Sequence, residues 1–256
     1  MIIISVSNQK GGVGKTTTSI CIAQELRRRG FRVLFIDSDA QCNSTSFYEA
    51  QTKDEATLAD ILCGDMPAYE CIHKTSKGDI IPSDKVLKDA DTMVKVDERR
   101  YSHLKKSLKT VQDEYDYCII DTPPVIGVCL KNVLAVSDYI IIPVDESGWS
   151  IDALMEFYEA VELAKENNDK LKVAGILSIK AKPWTRKAHR LDELTKILAN
   201  KIYTKHFKTR IRESVKCAEA LTEYHVPLYE YAPKSTTCID YINFVDELLE
   251  GMDNER

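Results

Sequence analysis

Apolar and polar positions along this chain repeat with two periods, and the changes from one to the other mark its elements. "IIISVSN", residues 2–8, is a short β-branched run that ends at a glycine-rich loop. From Lys15 the period lengthens: "KTTTSICIAQELRRRG" sets Ile20, Ala23 and Leu26 at helical spacing, with Gly30 as the stop. "FRVLFID", "YDYCIID", "SDYIIIPV" and "LKVAGILSI" are further, nearly continuous apolar runs, the second of them halted by Pro123 and Pro124. Between and after them "HLKKSLKTVQDEY", "DALMEFYEAVELAKEN" and "KAHRLDELTKILANK" read as helices. Buried strands alternating with helices predict an α/β fold, a mostly parallel twisted sheet with helices on both faces. Residues 52–95 are less regular. There "ATLADIL" predicts a short helix and "DIIPS" a short strand, within an elaborated crossover. Residues 1–256 are expected to form one domain.

Ligands in such sheets bind at the carboxyl ends of the strands. Three chemistry-bearing segments follow strands here, so all three point to one edge. The first is Gly11-Gly12-Val13-Gly14-Lys15-Thr16, between the first strand and the first helix. Glycines let the backbone turn tightly and aim N–H groups inward, and the helix N-terminus adds about half a positive charge. In such a phosphate loop Lys15 reaches the β- and γ-phosphates, Thr16 offers a hydroxyl to Mg²⁺, and Thr17 binds the α-phosphate. Asp121, ending "YCIID", is the natural partner for the metal. Asp37, ending "VLFID", and Asp39 two residues on, are further acidic groups at that edge. Any one strand-end aspartate can be a turn residue; three beside a phosphate loop point to the metal and the chemistry.

Lys10 is one cation more than the loop needs. Two readings stand on spacing alone: a solvated lysine ahead of the loop, or a cation that pairs with the phosphate of a nucleotide bound to a second copy of the chain.

Composition narrows the classes. The chain is 44% hydrophobic and 29% charged, enough for a full core. No apolar run approaches the ~18 residues of a membrane span, and no targeting leader is read at the start. Eight cysteines occur without a CxxC pair, as expected for buried, reduced thiols in the cytoplasm. Net charge is −5, yet Lys180 to Lys216 holds twelve Lys/Arg against three Asp/Glu, a local +9 that leaves −14 elsewhere. An acidic protein with one concentrated basic segment can hold a polyanion on one face.

"NQKGGVGKTTTS" resembles the deviant phosphate loop (deviant Walker A) of the ParA/MinD ATPases, and the closer likeness is to the small, Soj-like ParA proteins. "VLFIDSDAQCNST", "YCIIDTPPVIG", "TRIRESVKCAEA" and "YEYAPKSTTCIDY" resemble that group's later motifs, so the likeness runs from residue 2 to about 249. It implies a P-loop fold and an ATP-sandwich homodimer in which each Lys10 contacts the other copy's nucleotide. It also implies Asp39 positioning the attacking water, Asp37 and Asp121 at magnesium, and Pro233 packing against adenine. Lys10, Lys15 and Asp39 would then carry catalysis, with ATP and Mg²⁺ as cofactors. The family's hydrolysis is slow and is stimulated by DNA with a ParB-type partner, in plasmid or chromosome partition. Its dimers coat DNA without sequence preference, which implies a cytoplasmic, nucleoid-associated protein with DNA contacts at Arg186, Arg210, Arg212 and Lys216. The sequence departs from the family pattern at Ala40, Cys42 and Glu213 and in "LSIKAKPW", where the base is read. No N-terminal helix-turn-helix extension is present in the sequence, so operator-specific repression is not expected.

Three other functions compete. A MinD-like membrane-positioning ATPase would need a basic amphipathic helix at the C-terminus, whereas "YINFVDELLEGMDNER" is acidic at its tip. Its Ile242, Val245, Leu248 and Leu249 are expected to pack on the core, and no membrane partner is expected. Electron transfer of the nitrogenase iron-protein kind would need paired cysteine motifs, of which only Cys129 is suggestive. An orphan ParA-like switch positioning another cargo would share the chemistry and differ in partner.

Overall fold

The computed structural model describes residues 1–94, 100–145, 151–181 and 186–253. The strands are β1 (Ile2–Val6), β2 (Val33–Asp37), β3 (His73–Thr75), β4 (Gly78–Ile81), β5 (Tyr117–Asp121), β6 (Tyr139–Val144) and β7 (Lys172–Ser178). They form one sheet in the order β3-β4-β2-β5-β1-β6-β7, parallel throughout except for the β3–β4 pair. The expected parallel sheet is present, and all five anticipated strands lie in it. The "DIIPS" strand is β4. Strand β3 was not anticipated: three residues, His73 to Thr75, are too few to show a period.

Side chains alternate between the faces. Ile4, Val6, Phe35, Ile119 and Ile141 enter one core with Ile20, Ala23 and Leu26 of α1 (Lys15–Arg28). α2 (Asn43–Tyr48) packs there too, through Phe47 and Tyr48. On the other face Leu34, Ile36, Cys118 and Ile120 meet α3 (Leu58–Gly64), α4 (Ala90–Met93), α5 (His103–Leu108) and α6 (Val128–Val136). Further along, Ile140, Ile142 and Val144 pack with α7 (Ile151–Lys165) and α8 (Arg186–Lys201).

The chain then returns to the first face through α9 (Val215–Ala218), α10 (Leu228–Tyr231) and α11 (Thr236–Asp253). α11 buries Val245 and Leu248, with Ile242 and Leu249 partly buried beside them, which is the packing its spacing predicts. Glu25 of α1 accepts from Arg28 Nε (2.7 Å) and Arg29 Nε (2.8 Å), and Arg29 also pairs with Asp246 of α11 (2.6 Å). No helix among the described residues is long and apolar enough to cross a membrane. Of the eight cysteines, all free, six are buried; Cys42 is half-buried and Cys63 exposed, so the expectation of buried thiols fails at those two.

The register sets up the site. Val6 and Asp37 each pair with Asp121, so β1, β2 and β5 end level with one another at one edge. Asp145 follows β6 directly, at the same edge.

Candidate active site

The loop from Ser7 to Gly14 joins β1 to α1. Asn8 pins its start: Nδ2 donates to Pro143 O (2.6 Å) and Oδ1 accepts from Lys10 N (2.8 Å). Gly12 and Gly14 adopt φ of +75° and +77°, left-handed values that suit glycine. Gly14 is also packed tightly, since a Cβ there would lie 2.7 Å from Ile179 Cδ1. Val13 is fully buried and anchors the loop. Gly14 O accepts from Thr18 N (2.9 Å), which opens α1, and α1 has no acidic side chain in its first turn. The positive end of its dipole is left for an anion.

Lys15 is buried, 6% exposed, with Nζ donating to Lys10 O at 3.2 Å. Burial lowers its pKa, against the pull of Asp121 and Asp39. The two aspartates do not fully offset the cost of burying this ammonium, and a polyphosphate would add the missing negative charge. Thr16 and Thr17 follow on the first turn, both half-buried.

The aspartates are held by groups that the strand pattern did not reveal. Asp37 Oδ2 accepts from Thr45 N and Thr45 Oγ1, both at 2.8 Å, and its Oδ1 accepts from Asp39 N (3.1 Å). Asp121 Oδ2 accepts from Ser44 Oγ (2.8 Å). Burial, then the nearby Asp121 charge, pushes Asp37 up to about 7. Burial likewise pushes Asp121 up to about 6, against the Thr16 and Ser44 hydroxyls and the Lys15 charge. Asp39 is half-buried; its Oδ1 accepts from Gln41 N (2.9 Å) and its carbonyl from Ser83 Oγ (2.7 Å). Ser44 and Thr45 were legible only as part of the quoted "QCNST".

These donors fit magnesium. The set is all oxygen, and Asp121 Oδ1 is buried with no hydrogen-bond partner. Among the described residues no group of three or more His, Cys, Asp or Glu is placed to hold a metal. Two carboxylates and the Thr16 hydroxyl suit an ion that takes its remaining ligands from phosphate and water.

Lys10 gives its backbone carbonyl to Lys15, while its own ammonium pairs with an acid at the end of β6. Its Nζ reaches Asp145 Oδ1 at 3.2 Å, with the two side chains 34% and 12% exposed. Asp145 was not anticipated, although it ends the apolar run "IIIPV" as Asp37 and Asp121 end theirs.

The AAA domain family matches residues 1–173. The Soj sporulation initiation inhibitor of Bacillus subtilis is 33% identical over 96% of this chain and 97% of its own length. The ParA chromosome partitioning protein of Myxococcus xanthus is 31% identical over 97% of this chain and 88% of its own. The chain belongs to the ParA/Soj family of P-loop ATPases. Among solved structures, a cobyrinic acid a,c-diamide synthase from Mycobacterium smegmatis with bound ATP analog and magnesium superposes with a TM-score of 0.85. It is 26% identical, over 100% of this chain and 97% of that one.

The remaining candidates of this ParA-family chain belong to other segments of the sequence. Pro233 is exposed and lines an open cleft of about 380 Å³ with Lys216, Tyr231, Ala232, Lys234 and Ser235. That segment leads into α11, whose Tyr241 Oη lies 3.2 Å from Thr18 Oγ1 on α1. Lys216 and Arg210 are exposed. Arg212 is engaged with Asp240, through Nε to Oδ2 (2.9 Å) and Nη2 to Oδ1 (2.6 Å). Arg186 opens α8, and its side chain lies outside the described residues. Cys129 is buried on α6 within the second core.

Proposed function

We propose that the chain is one ATPase domain, residues 1–256, that binds ATP with Mg²⁺, dimerises on it, and releases the dimer by hydrolysis. Lys15, Gly11 to Gly14, Thr16 and Thr17 hold the phosphates. Thr16, Asp37 and Asp121 hold magnesium, which supplies charge neutralisation across the phosphates, and Asp39 positions the attacking water.

The observation that carries this reading is the division of labour between the two loop lysines. Lys15 is buried against the loop's own backbone, whereas the ammonium of Lys10 is carried to Asp145 at the end of β6. A cation placed outside its own cradle but at its rim is suited to a phosphate presented by a second copy. The nucleotide then acts as the contact between two chains, each contributing Lys10 to the other's ligand.

The dimer coats DNA without reading its sequence, through the basic segment from Lys180 to Lys216, with Pro233 beside the adenine. Phosphate neutralisation of this kind weakens steeply with salt. Arg212 contributes less than the others because Asp240 already neutralises it. Hydrolysis is slow until DNA and a ParB-type partner act together, and the cycle partitions a plasmid or chromosome in the cytoplasm, on the nucleoid. The experiment is ATP turnover by the full chain alone, with random-sequence DNA, and with DNA plus a candidate ParB-type protein. Stepwise stimulation supports the reading. Turnover indifferent to both, with vesicle binding in ATP, would move it to the MinD-like alternative.

A further inference from the structure

The phosphate loop is also held from the outside, by the end of β7. Past Ser178 the backbone is fixed at two points: Ile179 N donates to Val144 O (2.8 Å) and Ala181 N to Ile211 O (2.9 Å). Lys180 lies between them with φ +52°, a left-handed value that is uncommon for a residue with a side chain. Its Nζ donates to Gly12 O at 2.7 Å. The same strand end presses Ile179 against Gly14, where an added Cβ would be only 2.7 Å from Ile179 Cδ1. Lys180 is exposed, and among the described residues no carboxylate pairs with it.

We propose that Lys180 is a positioning residue for the nucleotide site, holding the phosphate loop in its anion-ready form before nucleotide arrives. A peptide unit is planar and trans, so fixing the direction of the Gly12 carbonyl fixes the opposite direction for the Val13 N–H. With its carbonyl held outward by the ammonium, that unit turns its N–H inward, as a phosphate cradle requires. A Cβ at Gly11 or Gly12 would meet nothing within 4 Å, so no packing holds the Gly12 side of this peptide, and buried Val13 anchors only its other side. Without the Lys180 contact the loop would sample other orientations, and apparent affinity would fall in proportion to the competent fraction.

This inference rests on the nucleotide reading above, and the test separates the two. The wild-type full chain, Lys180→Met and Lys180→Arg are titrated with fluorescent mant-ADP and Mg²⁺, a ligand whose binding needs no second copy. Lys180→Met keeps the length of the side chain and removes the charged donor. It is expected to weaken mant-ADP about three- to tenfold, the scale of one exposed charge-assisted hydrogen bond. The loss should appear mainly in the association rate, with the melting temperature of the nucleotide-free chain unchanged. Lys180→Arg, which retains a donor, should recover most of the affinity. Wild-type affinity in Lys180→Met, or equal weakness in both variants, would overturn the role given to Lys180. Failure of the wild-type chain to bind mant-ADP would instead overturn the nucleotide reading, and this inference with it.

Discussion

Replacing Asp145 with Asn should make the ATP-dependent dimer tighter. In the single chain Lys10 Nζ is 3.2 Å from Asp145 Oδ1, and that pair must open before Lys10 can reach a phosphate on another copy. The two side chains are 34% and 12% exposed, so the pair is neither fully screened nor fully buried. Ion pairs of this exposure contribute about 0.5–1 kcal/mol each. A symmetric dimer opens two of them, which gives about 1–2 kcal/mol. At about 1.4 kcal/mol per decade, Asp145→Asn should lower the dimer dissociation constant roughly five- to thirtyfold. Sedimentation velocity over a concentration series in a non-hydrolysable ATP analogue with Mg²⁺ reads this constant directly. Mant-ADP affinity, measured on the monomer, should stay within about twofold, because the substitution leaves Lys15 and the loop glycines that hold the phosphates unchanged. A dimer constant unchanged or weakened by the substitution would refute the reasoning. It would mean that Asp145 keeps its contact with Lys10 in the dimer or is needed to aim it.

Asp39→Ala should bind ATP yet hydrolyse it at least tenfold more slowly, so that dimer persists after a chase with ADP; normal turnover would place the water-orienting group elsewhere. Retention on random-sequence DNA in ATP should fall steeply between low and moderate salt. It should be lost on joint charge reversal of Arg186, Arg212 and Lys216, and retention unaffected by that triple change would clear the basic segment of the task. Glu25→Gln tests the tie between α1 and α11. Burial raises the Glu25 pKa, but the hydrogen bonds from Arg28 and Arg29 outweigh burial and leave it below the ordinary carboxylate value. A depressed folded pKa gives stability that is present above the ordinary value of ~4.3 and is lost as pH falls through the folded value. Denaturant unfolding should therefore show Glu25→Gln weaker by about 1–3 kcal/mol at neutral pH, with the gap narrowing below about pH 4. A gap that persists at low pH would assign the effect to packing instead of charge.

Most of the sheet could be read from the sequence because its strands are buried on both faces and therefore appear as unbroken apolar runs. The phosphate loop and the strand-end aspartates Asp37 and Asp121 followed from the same pattern, since a residue that ends such a run must emerge at the sheet edge. β3 escaped because three residues at a half-exposed edge carry no period. Ser44 and Thr45 escaped for a different reason: a short hydroxyl side chain holds a carboxylate only where the fold brings it, and α2 is too short to show a face. Asp145 was accessible by the rule that found Asp37 and Asp121, since it too follows an apolar strand. Lys180 was not, because only the left-handed turn after β7 aims it at Gly12. The basic segment was visible as a charge count, but the sequence did not show that Asp240 already engages Arg212.

The central claim is that two chains clasp nucleotide between them, each through its own Lys10. Light scattering of wild type and Lys10→Ala at saturating ATP and Mg²⁺, with hydrolysis blocked by Asp39→Ala in both, tests it most directly. The account predicts a mass of two chains with Lys10 present and of one chain with Lys10→Ala, although both still bind nucleotide. A dimer that survives Lys10→Ala, or a single-chain mass in both, would contradict it.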